Sequence, residues 1–205
     1  MESKEKNTKE KILEEALKLF AQSGYMGTSM NDIASKLGVT KAALYKHYKS
    51  KQEILDSIIE KMNELDIERV KLYEMPEGDL EKVTAEYKET AFDKIKRFTK
   101  VQFLHWTEEE FSSCFRKMLT LEQYREPQMA QLYQNYLASG PLTYMEALFA
   151  GILEDEVKAR QAALDFYGPI FLLYSIYDGT NDKSQVIKLL DEHMDHFSRE
   201  MQARR

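Results

Sequence analysis

The chain has 205 residues, enough to bury a substantial core, and its apolar fraction of 43% excludes a generally disordered protein. It contains only 8 Gly and 4 Pro, and no stretch alternates apolar and polar residues between turn signals. This composition argues against a β protein and favours an all-α fold. The formal net charge is −6, so the chain is acidic overall.

The single cysteine, Cys114, excludes an intrachain disulfide framework and suits a reducing compartment. The segment MESKEKNTKEK at the N-terminus is charged and lacks the apolar core of a signal peptide. No apolar run approaches the roughly 20 residues that a bilayer-spanning helix needs. From these features we expect a soluble, cytoplasmic protein.

Charge is unevenly distributed along the chain. Residues 1–51 hold 10 Lys and Arg against 6 Asp and Glu, a balance of +4, whereas residues 52–205 hold 19 against 29, a balance of −10. The segment GVTKAALYKHYKSK, residues 38–51, carries four of the lysines. A basic head on an acidic body is a cue for nucleic-acid binding at one end, although a solvated helix face also tolerates such cations.

Three short helices are predicted for this basic head. The first runs from about Thr8 to Ser23, with apolar residues on one face and Gly24 at the position of a left-handed C-terminal cap. Ser29, with Asp32 three residues later, predicts the capped start of a second helix. After Gly38, Thr40 predicts the start of a third helix, from Lys41 to about Tyr48.

A fourth helix begins at another capping box, Ser50 with Glu53, and its apolar spacing continues without Gly or Pro to about Tyr73. The segment EMPEGD, residues 74–79, ends it. We therefore expect a DNA-binding domain over residues 1–51, joined by a continuous helix to a larger domain over residues 52–205.

The second and third helices have the spacing of a helix-turn-helix, in which the second member of the pair is presented to a DNA groove. Four apolar residues are expected to lock the two helices together: Ile33, Leu37, Val39 and Leu44. The small and basic residues of the third helix then point away from Leu44.

The segment Thr8–Glu60 resembles the DNA-binding domain of the TetR family of transcriptional regulators. The resemblance rests on ILEEALKLFAQSGY in the first helix and on TSMNDIASKLGVTKAALYKHYKSKQEIL after it. It covers about a quarter of the chain. The remainder is similar to the family in length and helical character, which implies a ligand-binding and dimerisation body.

The resemblance implies a DNA-contacting set in this head. Lys41 is expected to reach a guanine edge or a phosphate, and Ala43 a thymine methyl group. Lys51 and the backbone N–H of Ser29 are expected to meet phosphates at helix N-termini. The set is Ser29, Thr40, Lys41, Ala42, Ala43, Tyr45, Lys46, His47, Tyr48 and Lys51. In the alternative, Tyr45 and Tyr48 only pack the small core and the lysines are only solvated.

Five further helices are predicted for the body, which makes nine in all. They span about Asp79–His105, Thr107–Leu121, Pro127–Leu153, Glu156–Tyr177 and Asp182–Met201. The sequence SGPL at residues 139–142 is expected to kink or split the third of them.

Residues 166–177 are apolar nearly all round the helix, which is unusual for a surface helix. One helix-turn-helix reads little sequence, and a twofold dimer presents two about 34 Å apart. We therefore expect the last two helices to pair with their twins through Phe166, Ile170, Phe171, Tyr174, Ile187, Leu190, Met194 and Phe197. The alternative is a helix buried within one chain.

The body is also rich in aromatic residues, and apolar cavities with a few polar groups are typical of small-molecule sites. The expected pocket residues are Phe103, His105, Trp106, Phe115, Met118, Tyr133, Tyr136, Tyr144 and Tyr174. In the alternative these side chains are plain core. The resemblance favours a pocket without identifying its ligand, and no cofactor is expected.

No catalytic arrangement or metal motif stands out in the sequence. His193 and His196 share a helix face, but zinc needs further ligands fixed in space, so we expect no metal site. Cys114 lacks a cationic setting that would activate it. We expect that the protein is not an enzyme.

These features predict a ligand-responsive transcriptional regulator, most simply a repressor. It would bind a palindromic operator in double-stranded DNA as a homodimer and be released by a small molecule in the C-terminal domain. One alternative is a small-molecule-binding or enzymatic α-helical bundle whose basic head contacts a protein or a membrane. Another is an interaction protein with no effector.

Overall fold

A computed structural model describes residues 2–204, with the side chains of residues 7–202. These residues form eleven α-helices and no β-strand, which confirms the predicted all-α class. None of the helices in this part of the chain has the length and apolar character needed to cross a membrane.

The helices in chain order are α1 (Glu2–Ser23), α2 (Met30–Leu37), α3 (Lys41–His47), α4 (Lys51–Leu72), α5 (Leu80–Glu89), α6 (Phe92–Thr107), α7 (Glu110–Glu122), α8 (Pro127–Leu137), α9 (Ser139–Leu153), α10 (Glu156–Gly179) and α11 (Lys183–Arg204).

Two of the nine predicted helices are divided in the structure, which accounts for the difference in number. The helix expected over Asp79–His105 is interrupted at Thr90, whose N–H bonds to the carbonyl of Tyr87 in a tighter turn. The helix expected over Pro127–Leu153 is split at Ala138, whose φ of −125° and ψ of −99° lie outside the helical region. Pro141 then lies in the first turn of α9, where its missing N–H costs no intrahelical bond.

The chain forms two compact units. The first joins the chain up to Glu68 with Glu110–Tyr133, so it contains the head helices, most of α4, all of α7 and the start of α8. The predicted domain boundary at residue 51 is a different division and stays a prediction.

The core of the first unit is built on the apolar face of α1. Its fully or nearly fully buried side chains include Leu17, Phe20, Ile33, Leu44, Ile54, Leu55 and Ile58. The ring of Phe20 meets the ring of Tyr25 edge to face, with 5.2 Å between centroids. Helix α7 packs along α1 within this unit, and Lys18 forms an ion pair of 3.1 Å with Glu110. Helix α3 is therefore held on a well-packed support.

The second unit joins Arg69–Glu109 with the chain from Gln134 onward. Helix α10 packs on α6, α9 and α11 there, and the rings of Phe149, Phe166 and Phe197 meet one another at 5.1–6.0 Å. Two ion pairs join α6 to α11, Lys96 with Asp195 at 2.5 Å and Lys100 with Asp191 at 2.8 Å. This unit has its own aromatic core.

Candidate nucleic-acid interface

The start and end of α2 are fixed by local hydrogen bonds. Ser29 Oγ accepts from the N–H of Asp32 at 3.2 Å, and the Asp32 carboxylate accepts from the N–H of Ser29 at 2.8 Å, as in a capping box. Gly38 ends the helix with φ of +66°, a left-handed conformation that glycine adopts without steric cost. The predicted capped start at Ser29 and Asp32 is therefore confirmed, and the turn at Gly38 directs the chain into α3.

Helix α3 is short and is anchored by one fully buried side chain. Thr40 Oγ1 accepts from the N–H of Ala43 at 3.2 Å and caps the helix, as predicted. Leu44 is buried against the rest of the head, whereas Lys41, Ala42 and Lys46 are exposed. Ala43, Tyr45 and His47 are partly exposed. The face opposite Leu44 is thus small, basic and accessible, which is the arrangement a groove-binding helix needs.

Four exposed lysines form the basic surface of the head: Lys36, Lys41, Lys46 and Lys49. Within the described part of the chain none of them forms an ion pair with a carboxylate, in contrast to Lys18 and Lys61 in the same unit. Lys41 Nζ lies 5.7 Å from the centre of the Tyr45 ring. The sequence-based set omitted Lys36 and Lys49, although both lie in the motif that carries the family resemblance.

Ser29 is less available than the sequence suggested. Its backbone N–H, expected to bind a phosphate, donates to the Asp32 carboxylate instead. The hydrogen bonds from the Ser29 side chain and backbone lower the pKa of Asp32. The Asp32 carboxylate therefore already occupies the position at the start of α2 where a phosphate was expected.

Tyr48 is only 4% exposed and belongs to the core of the head. Its hydroxyl is hydrogen-bonded to Ser57, and burial raises its pKa. This placement is the packing alternative considered for Tyr48, whereas Tyr45 remains on the accessible side.

Lys51 is bound inside the first unit. Its ammonium group donates to the carbonyl oxygens of Tyr25 at 2.6 Å and Thr28 at 2.8 Å, and it lies 4.3 Å from the centre of the Tyr25 ring. Burial lowers the pKa of Lys51, and the nearby Glu122 carboxylate partly opposes that shift. Two of its three donors therefore hold the α1–α2 turn.

Val39 differs from its predicted role. It was expected to pack between α2 and α3, but it is 44% exposed in the turn that leads into α3. The turn is closed by backbone bonds, including Val39 N–H to the carbonyl of Ala34 at 3.0 Å, so it does not need the valine side chain. An exposed apolar group beside the lysines can contact a thymine methyl group.

The predicted pocket residues divide between the two units. Phe115 and Met118 are fully buried in the first, which also contains Tyr133. In the second, Phe103 stacks on Tyr174 with 5.1 Å between ring centroids. Trp106 meets the ring of Tyr136 edge to face.

His105 lies in a buried charged cluster of the second unit. Its Nδ1 is 2.7 Å from a carboxylate oxygen of Glu109 and also contacts Arg69 Nη2. Burial lowers the pKa of His105, Glu109 opposes the shift, and Arg69 adds to it. Among the nine predicted pocket residues, Tyr144 lines a cleft described below.

Most of the predicted dimer residues are buried within the single chain. They are Phe166, Ile170, Tyr174, Leu190, Met194 and Phe197, while Ile187 is half-buried. Phe171 is 40% exposed and lies on a different face of α10. That exposed face carries apolar and small residues, with Asp178 at its C-terminal end: Leu164, Gly168, Phe171, Leu172, Ser175, Ile176 and Gly179.

The histidines of α11 have separate environments. His193 Nε2 donates to the carbonyl of Phe166 at 2.9 Å, and His196 is exposed. No group of three or more His, Cys, Asp or Glu side chains within residues 7–202 has an arrangement that would hold a metal ion. Burial raises the pKa of the Cys114 thiol, which disfavours its reactive thiolate form.

Comparison with known proteins places the similarity where the head geometry lies. Residues 12–58 match the family model described as bacterial regulatory proteins, tetR family. Over 52 residues the chain is 42% identical to IcaR of Staphylococcus epidermidis, the negative transcriptional regulator of the biofilm operon icaADBC. That match covers 25% of this chain and 28% of IcaR, so it spans little more than a quarter of the relative.

Solved structures resemble nearly the whole chain. A TetR-family transcriptional regulator from Mesorhizobium loti superposes with a TM-score of 0.57 at 18% identity, covering 94% of this chain and 96% of that one. The TetR-family regulator PfmR from Thermus thermophilus gives a TM-score of 0.56 at 25% identity, covering 92% of this chain and 97% of that one. These likenesses extend the shared fold beyond the head.

Proposed function

The chain belongs to the TetR family of transcriptional regulators, and from that premise we propose that it is a homodimeric, ligand-responsive repressor of a palindromic operator. The observation that carries this proposal is the exposed basic face of α3 and its flanking turns. Lys41 and Lys46 lie on α3, Lys49 follows it, and Lys36 adjoins this surface from the last turn of α2; none of the four pairs with a carboxylate in the described residues. Duplex DNA supplies one negative charge about every 1.7 Å, which is the complementary surface.

The dimensions of α3 suit the major groove, which admits an α-helix. Ala42 and Ala43 let the helix backbone approach the base edges closely. Lys41 and Lys46 then reach guanine edges or phosphates, and Val39 offers an apolar contact for a thymine methyl group. Ser29, Tyr48 and Lys51 act in this account as supports of the helix, because their polar groups bond within the head.

The exposed face of α10 supports the dimer. The six exposed positions of α10 from Leu164 to Ile176 carry no charged side chain, although a helix facing water should be polar there, and Asp178 is the first exposed charge after them. A Cβ atom placed on Gly168 or Gly179 meets nothing within 4 Å, so a second helix can approach these positions closely. A twofold axis through this face would present two copies of α3 to successive major grooves, about 34 Å apart.

In the proposed function, the protein represses transcription and is released from DNA by a small molecule. IcaR, to which 52 residues of this chain are 42% identical, is a negative regulator, and this supports repression here as well. A small molecule that binds the body better in the DNA-released arrangement shifts the population away from DNA. Reversing that population from mostly bound to mostly free needs about 5.5 kcal/mol of differential binding.

The test is a fluorescence-anisotropy titration of the full chain with duplex fragments, starting with the one upstream of its own coding sequence. A regulator should prefer one palindromic fragment, and its affinity should fall steeply between about 50 and 200 mM salt because phosphate contacts release counterions. Absence of binding to every duplex, together with binding to anionic vesicles, would instead favour a basic head that contacts membranes.

A further inference from the structure

A cleft of about 580 Å³ lies in the second unit between the 76–80 segment, α5 and the start of α9. Its lining consists of Pro76, Gly78, Leu80, Val83, Asn135, Ser139, Gly140, Thr143, Tyr144 and Ala147. The volume falls within the roughly 300–1,000 Å³ of small-molecule sites. Of the residues expected from sequence to form a pocket, only Tyr144 is in this lining.

The cleft follows from how α5 and α9 are held together. The two helices touch near Thr84 and Gly151, where a Cβ atom on Gly151 would lie 2.5 Å from Thr84 Cγ2, and Lys88 pairs with Glu154 at 3.7 Å further along. At their beginnings the helices diverge, and the space between them is bordered by Leu80 and Thr143. Close contact at one end therefore leaves a wedge at the other.

Position 140, in the lining of this cleft, requires glycine. A Cβ atom on Gly140 would lie 2.0 Å from the carbonyl oxygen of Asn135, closer than any real contact. Gly140 thus permits the chain to break at Ala138 and restart as α9 without moving away from α8. The start of α9 after this break borders the cleft, whose lining includes Ser139 and Thr143.

The chemistry of the lining is uniform in one respect: none of its ten residues is charged. Pro76, Leu80, Val83 and Ala147 supply apolar surface, while Ser139, Thr143 and Tyr144 supply hydroxyl groups. Burial raises the pKa of Tyr144, so its phenol is neutral and can donate a hydrogen bond at physiological pH. The ring of Tyr144 is still 44% exposed, which leaves a face on which a ligand can stack.

We propose that this cleft binds an uncharged ligand that combines an apolar ring or chain with a hydrogen-bonding group, and that such a ligand acts as an effector of the chain. The effector role rests on the regulator proposed above, whereas the binding site does not. A charged ligand is disfavoured because none of the lining residues offers a countercharge for a desolvated ion.

The test uses three probes that share one ring system and differ in charge: 1-naphthol, 1-naphthoate and 1-naphthylmethylammonium. Isothermal titration calorimetry of the full chain at neutral pH should show binding of 1-naphthol with a Kd of about 1 mM or tighter. Both charged probes should bind at least about tenfold more weakly. No detectable binding of 1-naphthol, or equal binding of all three probes, overturns the proposal.

Substitutions test whether 1-naphthol binds in the cleft. Ala147→Phe fills the cleft and should weaken 1-naphthol binding at least about tenfold, whereas Gln134→Phe, at an exposed position of α8 outside the lining, should leave it unchanged. If circular dichroism shows that Ala147→Phe is not folded, Tyr144→Phe tests the binding site instead. Removing its hydroxyl should weaken binding about threefold to tenfold, and unchanged binding overturns the site.

The effector role is tested separately by DNA affinity. Saturating 1-naphthol should change the affinity of the wild-type chain for its preferred duplex at least about fivefold, and it should have no effect on Ala147→Phe. A wild-type chain that binds 1-naphthol in the cleft but shows no change overturns the effector role. A chain that binds no duplex refutes the regulator, while calorimetry still decides whether the cleft is a binding site.

Discussion

Oε1 of the Glu122 carboxylate lies 2.0 Å from the position that a Cβ atom on Gly24 would occupy. Gly24 adopts φ of +81°, and Glu122 is fully buried at the end of α7. Its side chain therefore fits against the α1–α2 turn only because Gly24 has no side chain. The same turn is bonded by Lys51, so its conformation is fixed from two sides.

Gly24→Ala should destabilise the protein through both strain at positive φ and collision with Glu122. Gly38→Ala is the matched control, because φ at Gly38 is +66° but a Cβ atom there meets nothing within 4 Å. We expect Gly24→Ala to lower the free energy of unfolding by about 1–3 kcal/mol more than Gly38→Ala, the range for overpacking. Urea denaturation measures both variants, and equal losses would show that the contact is unimportant.

Lys51→Met should lower stability, because it leaves the carbonyl groups of Tyr25 and Thr28 without their donor while keeping the apolar stem. The expected loss is about 1–3 kcal/mol in urea denaturation. Lys49→Met, at an exposed position two residues earlier, should change stability by less than about 0.5 kcal/mol. If Lys51→Met instead weakens DNA binding without loss of stability, Lys51 acts on phosphates as the sequence suggested.

Lys41→Ala combined with Lys46→Ala should weaken binding to DNA and flatten its salt dependence. If both side chains neutralise phosphates in each subunit of the proposed dimer, the slope of log affinity against log salt should fall by about 3.6, since each of the four contacts contributes about 0.9. Lys188→Ala, at an exposed position of α11 in the second unit, should leave the slope unchanged. Anisotropy at several salt concentrations gives the slopes, and an unaltered slope in the double variant would refute the docking of α3.

Phe171→Glu should convert the proposed dimer to monomers, because it places a charge at the centre of the exposed apolar face of α10. Tyr124→Glu, at an exposed aromatic residue in the first unit, should not affect association. Sedimentation velocity distinguishes the two states, and circular dichroism verifies that each variant is folded. A Phe171→Glu protein that remains dimeric would move the interface to another surface.

Asp32 should make stability depend on pH in acid. Hydrogen bonds from Ser29 lower the pKa of Asp32 from its ordinary value of 3.8, so the folded state binds this proton less readily than the unfolded state. The resulting stabilisation is present above that ordinary value and is lost as the pH falls through the lower pKa of the folded protein. Urea denaturation from about pH 6 to about pH 2 should therefore show a steeper loss for the wild type than for Asp32→Asn.

Local features of the fold were predictable because their causes are close in sequence. Ser29 and Thr40 act through residues three positions away, and each forms the helix cap that its residue type indicated. The SGPL segment likewise indicated a break, and the structure has a split at Ala138. The break at Thr90 had no such signal, since neither Gly nor Pro lies near it.

Features that depend on distant partners were not predictable. The acceptors for Lys51 are 26 and 23 residues away in the chain, and its position in the motif suggested only a phosphate. Helical periodicity showed that residues 166–177 are apolar all round, but it did not show which side faces α9 and α11. Consequently the sequence placed Phe166 and Ile170 in an intermolecular interface, whereas they are buried inside one chain.

The lysines of the head also affect the protein when no DNA is present. Lys36, Lys41, Lys46 and Lys49 repel one another and form no ion pair with a carboxylate in the described residues, and this self-repulsion destabilises the unbound head. Added salt should therefore have opposite effects on two properties: it screens the repulsion and raises the melting temperature, and it weakens attraction to a polyanion. A variant selected only for thermal stability would tend to lose these cations, and it would then lose its electrostatic attraction to chromosomal DNA.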